Sequence, residues 1–304
     1  MTAPAISRAT MRAATLAAPG VARVDEAPVP EPRAGEVLVR IEGCGVCASS
    51  LPLWQGREWF DYPLEPGEPG HEAWGTEVES GRRVALLHEQ GFREFAAVPR
   101  ELVVPLPDAL ADAPFPGEAL GCAMNIFSRA DVHAGQTVGI VGVGFLGALL
   151  VQLCAGAGAR VLAFSRRPFA LELARAFGAE TPSARENESC DVVIESAGVQ
   201  ETLDLASQLC RVRGRLVIAG FHQDGPRTVD VQLWNWRGLD VVNAHERDPA
   251  IVLEGIRAAA RAVADGQLDP EPLYTHVLPL EQLGQAFTLA ADRPDGFVKA
   301  LVTT

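Results

Sequence analysis

Residues 137–150 read TVGIVGVGFLGALL, an apolar run, then Gly142-x-Gly144-x-x-Gly147, then a second apolar stretch. In a chain with 29 glycines such a pattern can arise by chance. Its setting gives it meaning: a strand enters the turn and an amphipathic helix beginning near Phe145 leaves it. Glycines there allow a tight turn and a close approach of backbone to a pyrophosphate, which the positive end of the helix attracts. Gly142, Gly144 and Gly147, with the backbone of Phe145 and Leu146, are therefore candidate dinucleotide-binding residues.

The pattern continues downstream. RVLAFS precedes the helical RPFALELARAFG, CDVVIESAG precedes VQETLDLASQLCR, and GRLVIAG follows. Repeated βα units predict a parallel sheet with crossover helices, a doubly wound α/β domain. At the end of the second strand, where Asp or Glu commonly receives the ribose hydroxyls of NAD, stand Ser165, Arg166 and Arg167. A serine and two arginines can hydrogen-bond and neutralise a 2′-phosphate that an acid would repel, so NADP(H) is expected over NAD(H). The other reading leaves the arginines capping a strand end in solvent.

Before this domain the signals differ. EVLVRIEG alternates Val37, Val39 and Ile41, and RRVALL and FREFAAVP follow among Gly and Pro, so residues 36–105 read as mostly β. After it come a helix near 250–265, THVLP, the helix LEQLGQAFTLAA and a closing strand GFVKALVT. The expected division is a catalytic domain from 1–121 and 248–304 around a dinucleotide-binding domain from 122–247.

Composition narrows the function. The chain has 304 residues, 48% hydrophobic and 21% charged, with a formal charge of −13. That is globular composition, and the acidic balance opposes nonspecific binding to nucleic acid or an anionic membrane. No apolar run reaches the roughly 18 residues of a membrane span. The opening MTAPAISRATMRAATLAAPG, interrupted by Arg8 and Arg12, does not read as a secretory signal, so a cytoplasmic protein is expected. Six scattered cysteines form no disulfide framework.

Two of those cysteines lie in GCGVCASSL (43–51), and PGHEAWG (69–75) sets a histidine beside a carboxylate. With FPGEALGC before the Gly-rich turn and THVLPLEQLGQAF near the end, these motifs resemble, in order, the zinc-dependent alcohol dehydrogenase family of medium-chain dehydrogenases/reductases. The likeness runs through nearly the whole chain. It implies a mostly β, GroES-like catalytic domain beside a Rossmann domain, and one catalytic Zn²⁺ held by Cys47, His71 and Glu118. Thiolate, imidazole and carboxylate are sound zinc ligands, and three of them leave a position open for chemistry. Glu72 is then either a supporting neighbour or an exchanging ligand. Cys122, one helical turn beyond Glu118, is a rival third ligand. The resemblance also implies that Ser49 passes a proton from substrate oxygen, that Ala197, Gly220 and Lys299 touch the cofactor, and that the nicotinamide meets the loops at Ser196–Val199 and Gly220–His222.

The departures are specific. The interval between His71 and Glu118 lacks the four-cysteine lobe of many relatives, so no structural zinc is expected. Ser50 stands where relatives often have an acid, and Pro52 where some have a relay histidine. Trp54, Trp59, Phe60 and Tyr62 line the substrate cleft or serve as packing. In WNWRGLDVVNAHERD (234–248), His245, Glu246 and Arg247 either reach a polar substrate such as a polyol or form a solvated loop. The segment 229–244, with Trp234 and Trp236, is expected to be strand-rich and to pair subunits into a homodimer. The expected activity is a reversible NADP-linked alcohol or ketone oxidoreductase acting on a small molecule. The alternatives are a zinc-free enone or quinone reductase, and a catalytically silent NADPH-binding protein.

Overall fold

The computed structural model describes residues 9–183 and 187–304. Residues 1–8, the start of the stretch read as lacking a secretory signal, lie outside the described residues. The chain forms two compact units, Met1–Gly121 with Val252–Ala264 and Glu271–Thr304, and Cys122–Ile251 with Asp265–Pro270.

The first unit opens with a hairpin of β1 (Thr10–Ala18) and β2 (Val21–Pro28). It continues with β3 (Glu36–Gly45), the short helix α1 (Leu51–Gln55), β4 (Glu72–Glu77), β5 (Arg83–Leu86), β6 (Phe95–Pro99) and β7 (Val103–Pro105). Along β3, Val37, Val39 and Ile41 are buried in alternation, the period that one covered face demands. Helix α2 (Gly117–Ala130) contains the boundary between the units.

The second unit is built from βα units: β8 (Thr137–Val141), α3 (Phe145–Gly156), β9 (Arg160–Phe164), α4 (Pro168–Ala176), β10 (Cys190–Glu195), α5 (Gln200–Leu209), β11 (Cys210–Ile218), α6 (Val231–Arg237) and β12 (Asp240–Asn243). Its five strands are all parallel in the order β12-β11-β10-β8-β9. Chain order reverses between β8 and β10, the switch point of a doubly wound sheet. Val138, Ile140 and Val141 are buried, as a central parallel strand requires. The expected α/β class, with a Rossmann sheet in one unit and a mostly β sheet in the other, is the fold observed.

The chain returns to the first unit through α7 (Pro249–Ala264), β13 (His276–Pro279), α8 (Leu283–Asp292) and β14 (Ala300–Thr303). The sheet there orders β13-β14-β3-β4-β5-β7, with β6 also on β3. Phe92 and Phe287, both fully buried, meet edge to face beneath it. Burying a side chain of this size contributes roughly 1.5–3 kcal/mol.

Two local expectations are corrected. Residues 231–237 are helix rather than strand: Asp230 caps the first turn by accepting from Leu233 N at 2.9 Å, and Gly238 ends the helix in a left-handed conformation. The closing strand is shorter than GFVKALVT, because Val298 N and Lys299 N donate to Thr275 Oγ1 instead of to a neighbouring strand.

Candidate active site

Strand register gathers the metal motifs. β3 pairs antiparallel with β4, Gly45 opposite Glu72, and on its other edge with β14, Gly45 opposite Leu301. The residues just beyond those pairs, Cys47, His71 and Lys299, therefore emerge at one end of three adjacent strands. One ligand atom each from Cys47, His71 and Glu72 lies within 4.8 Å of the other two. Ser49 Oγ donates to Cys47 Sγ at 3.1 Å and lies 3.4 Å from His71 Nε2. The Nδ1 side of the same ring faces Glu89, 3.9 Å away.

Glu72 is fully buried, and so is its partner: Lys299 Nζ stands 2.6 Å from Oε1 and 2.5 Å from Oε2. Only Oε1 receives a well-directed hydrogen bond, and Oε2 is a buried acceptor without one. Gly45 must be glycine here, since a Cβ would stand 1.8 Å from Glu72 Oε2. Burial alone would lower the His71 pKa, but Cys47, Glu118 and Glu72 outweigh it and push it up to about 10. Burial likewise opposes charge on Lys299, while Glu72, Cys47 and Glu118 raise its pKa overall. Glu118, in the first turn of α2, thus acts on the same cluster. The donor set of one thiol, one imidazole and nearby carboxylates suits a zinc ion.

Lys299, expected to touch the cofactor, is 4% exposed, and its ammonium is engaged by Glu72. Cys122 lies beyond the unit boundary within α2, and Cys44 is buried, its thiol held protonated first by desolvation. Ser50 is buried and its hydroxyl donates to Pro69 O at 3.5 Å. Of the aromatic residues, Trp54 stacks on Phe287 at 5.3 Å and Tyr62 packs on the same core. Trp59 is 58% exposed with Arg57 over its ring. The first pair is packing, and the second remains a candidate cleft surface.

In the second unit the Gly-rich turn joins β8 to α3. Gly142 has φ 100°, and a Cβ on Gly147 would stand 2.0 Å from Gly142 O. The protein itself thus requires both glycines. Gly144 differs: it is exposed, nothing lies within 4 Å of its Cβ position, and no side chain caps the helix it starts. The open cradle fits a pyrophosphate against backbone. Phe145 and Leu146 form the first turn behind it. At the end of β9, Ser165 Oγ accepts from Arg167 N at 3.2 Å, and Arg166 is exposed. Ala197 N donates to Glu195 Oε1, and Gly220 N to Glu195 O, both at 2.8 Å. Sequence reasoning missed Glu195, which no spacing rule marks. In the 245–248 loop, His245 stacks on Phe221 at 6.0 Å, while Glu246 accepts from Arg247 N and Asp248 N and so shapes the entry to α7.

Comparison with known proteins finds dehydrogenases. Residues 146–249 match the zinc-binding dehydrogenase family model. The 2-dehydro-3-deoxy-L-galactonate 5-dehydrogenase of Pseudoalteromonas atlantica is 30% identical over 61% of this chain, which spans only 56% of that enzyme. Sorbitol dehydrogenase of Gallus gallus is 28% identical over 88% of this chain and 90% of its own length. A zinc-binding dehydrogenase of Sinorhizobium meliloti 1021, solved bound to NADP, superposes with a TM-score of 0.84 at 26% identity, covering 98% of this chain and all of that one. No helix among the described residues is long and apolar enough to cross a membrane.

Proposed function

We propose that the chain belongs to the zinc-binding, alcohol-dehydrogenase-like medium-chain dehydrogenases/reductases and is a zinc-dependent, NADP-linked oxidoreductase interconverting a secondary alcohol and a ketone. Polyols or sugar acids are the substrate class, as in the named relatives. The observation that carries this reading is the convergence of Cys47, His71 and Glu72 at the shared end of β3 and β4.

Cys47, His71 and Glu118 would hold the metal. Glu72, tied to Lys299, would hold the negative field around them rather than exchange as a ligand. When bound, zinc supplies Lewis acidity at the substrate oxygen, and NADP(H) supplies or accepts the hydride. Ser49 Oγ, within reach of both Cys47 and His71, would hold the proton exchanged with that oxygen. Gly142, Gly144 and Gly147 would admit the pyrophosphate, and Ser165, Arg166 and Arg167 the 2′-phosphate. Exposed Trp236 on α6, beside the edge strand β12, supports pairing of two copies into a homodimer in the cytoplasm.

Elemental analysis of the purified chain tests the proposal: one zinc per chain is expected. Cys47→Ala should lose it and lower NADPH-dependent ketone reduction by roughly a thousandfold, the effect of removing several kcal/mol of charge stabilisation. NADPH affinity should stay within about twofold. Two zincs per chain, or a fully active Cys47→Ala protein, overturns the reading.

A further inference from the structure

The carboxyl end of β10 carries a buried chain of polar groups that the proposed chemistry does not use. Glu195 closes the strand with no exposed surface. Its Oε1 accepts from Ala197 N and Gly198 N, each at 2.8 Å, and from Thr202 Oγ1 at 2.7 Å. Its Oε2 lies 2.9 Å from His222 Nε2. Arg227 Nε donates to His222 Nδ1 at 2.9 Å. A ring nitrogen that accepts from a guanidinium carries no proton, so the hydrogen sits on Nε2 and is donated to Glu195. The histidine thereby links the guanidinium of Arg227 to the buried carboxylate of Glu195. Arg227 Nη2 also donates to Gly198 O at 2.9 Å and contacts Asp224.

Mechanically, this chain joins two strand-end loops. The loop after β10 and the loop after β11 both hang on Glu195, whose backbone O also accepts from Ala219 N and Gly220 N. The first loop reaches the Gly-rich turn as well, where Ser196 Oγ donates to Gly142 O at 2.6 Å. Resting on the reading of that turn as a dinucleotide site, sheet order then assigns the two halves of the ligand. Ser165 and the arginines end β9, on one side of β8, so the adenosine half belongs over β8 and β9. The nicotinamide half then belongs on the other side of the switch point, over the ends of β10 and β11.

We infer that His222 and Arg227 are positioning residues: with Glu195 they lock the two loops in the shape that receives the nicotinamide half of the cofactor.

Calorimetric titration of the intact zinc-loaded protein with NADPH and with adenosine 2′,5′-bisphosphate tests this, because the second ligand lacks the nicotinamide half. His222→Leu removes the donor to Glu195 and should weaken NADPH about tenfold or more, with the bisphosphate unchanged within about twofold. His222→Gln offers an acceptor and a donor in similar places and should bind NADPH within about threefold of wild type. Arg227→Met gives the same contrast if His222→Leu does not fold. In ¹⁵N spectra of the cofactor-free protein, His222 should be protonated at Nε2. Equal loss of both ligands, unchanged NADPH binding in His222→Leu, or a proton on Nδ1 overturns the inference. Wild-type protein that binds neither ligand instead refutes the dinucleotide reading beneath it.

Discussion

The ends of β14, β3 and β4 and the ends of β8, β10 and β11 solve opposite electrostatic problems. At the first, a thiol, an imidazole and two carboxylates gather near one buried ammonium, and their sulfur, nitrogen and oxygen donors suit a metal cation. At the second, the Gly-rich turn offers backbone dipoles and open space to an anion. Charge density makes the first site; the absence of side chains makes the second. It follows that single substitutions should be most damaging at the first, where removing one partner leaves another buried and charged.

Lys299→Met is the largest such test. It leaves the Glu72 carboxylate fully buried without its cation, a loss of about 3–5 kcal/mol by comparison with other broken buried pairs. The double change with Glu72→Gln should recover part of that stability, since no uncompensated charge remains. Thermal melts of the three proteins, with zinc content fixed, check the order. A Lys299→Met protein as stable as wild type would show that the pair is not the keystone of the charged site.

The same contrast explains what the sequence reveals and what it hides. The Gly-rich turn is local: three glycines and the periodicity of two flanking runs suffice to place a strand, a turn and a helix. Cys47 and His71 were recognisable through their motifs, and the register of β3 and β4 then brings them together. Lys299 and Glu72 lie 227 residues apart, and only the pairing of β14 with β3 makes them neighbours. Nothing near Lys299 in the chain announces a buried ammonium. The segment 231–237 misled in the opposite way, since its tryptophans favour strands while a capping aspartate and a terminating glycine outweigh them.

A smaller effect is expected where the second site turns from backbone to side chain. A charge-assisted hydrogen bond contributes about 1.5–3 kcal/mol, so Arg166→Ala should weaken NADPH by roughly ten- to a hundredfold and leave NADH nearly unchanged. Ser165→Asp should shift preference toward NADH by repelling the 2′-phosphate. Dissociation constants for both cofactors decide it: equal wild-type affinity for NADH and NADPH would remove these side chains from phosphate recognition.

The smallest expected effect sharpens the contrast from the side of stability. His88, after β5 in the first unit, has a buried Nε2 without a hydrogen-bond partner. Desolvation first, and then the positive charge of Arg93, lower its pKa from 6.5 to about 4, against a weaker opposing pull from Glu36. A depressed histidine pKa means that between pH 6.5 and 4 the unfolded chain binds a proton that the folded chain refuses. The contribution is therefore complete above about pH 6.5 and is lost progressively as pH falls toward 4. At 1.36 kcal/mol per unit, acidification from pH 7 to pH 5 should cost about 1–2 kcal/mol through this residue. His88→Gln abolishes the titration, so its stability should fall less than that of wild type over the same interval. Urea melts at pH 7 and pH 5 measure the difference between the two proteins, which cancels the carboxylates they share. Parallel pH dependences would mean that His88 takes up its proton in the folded state as readily as in the unfolded one.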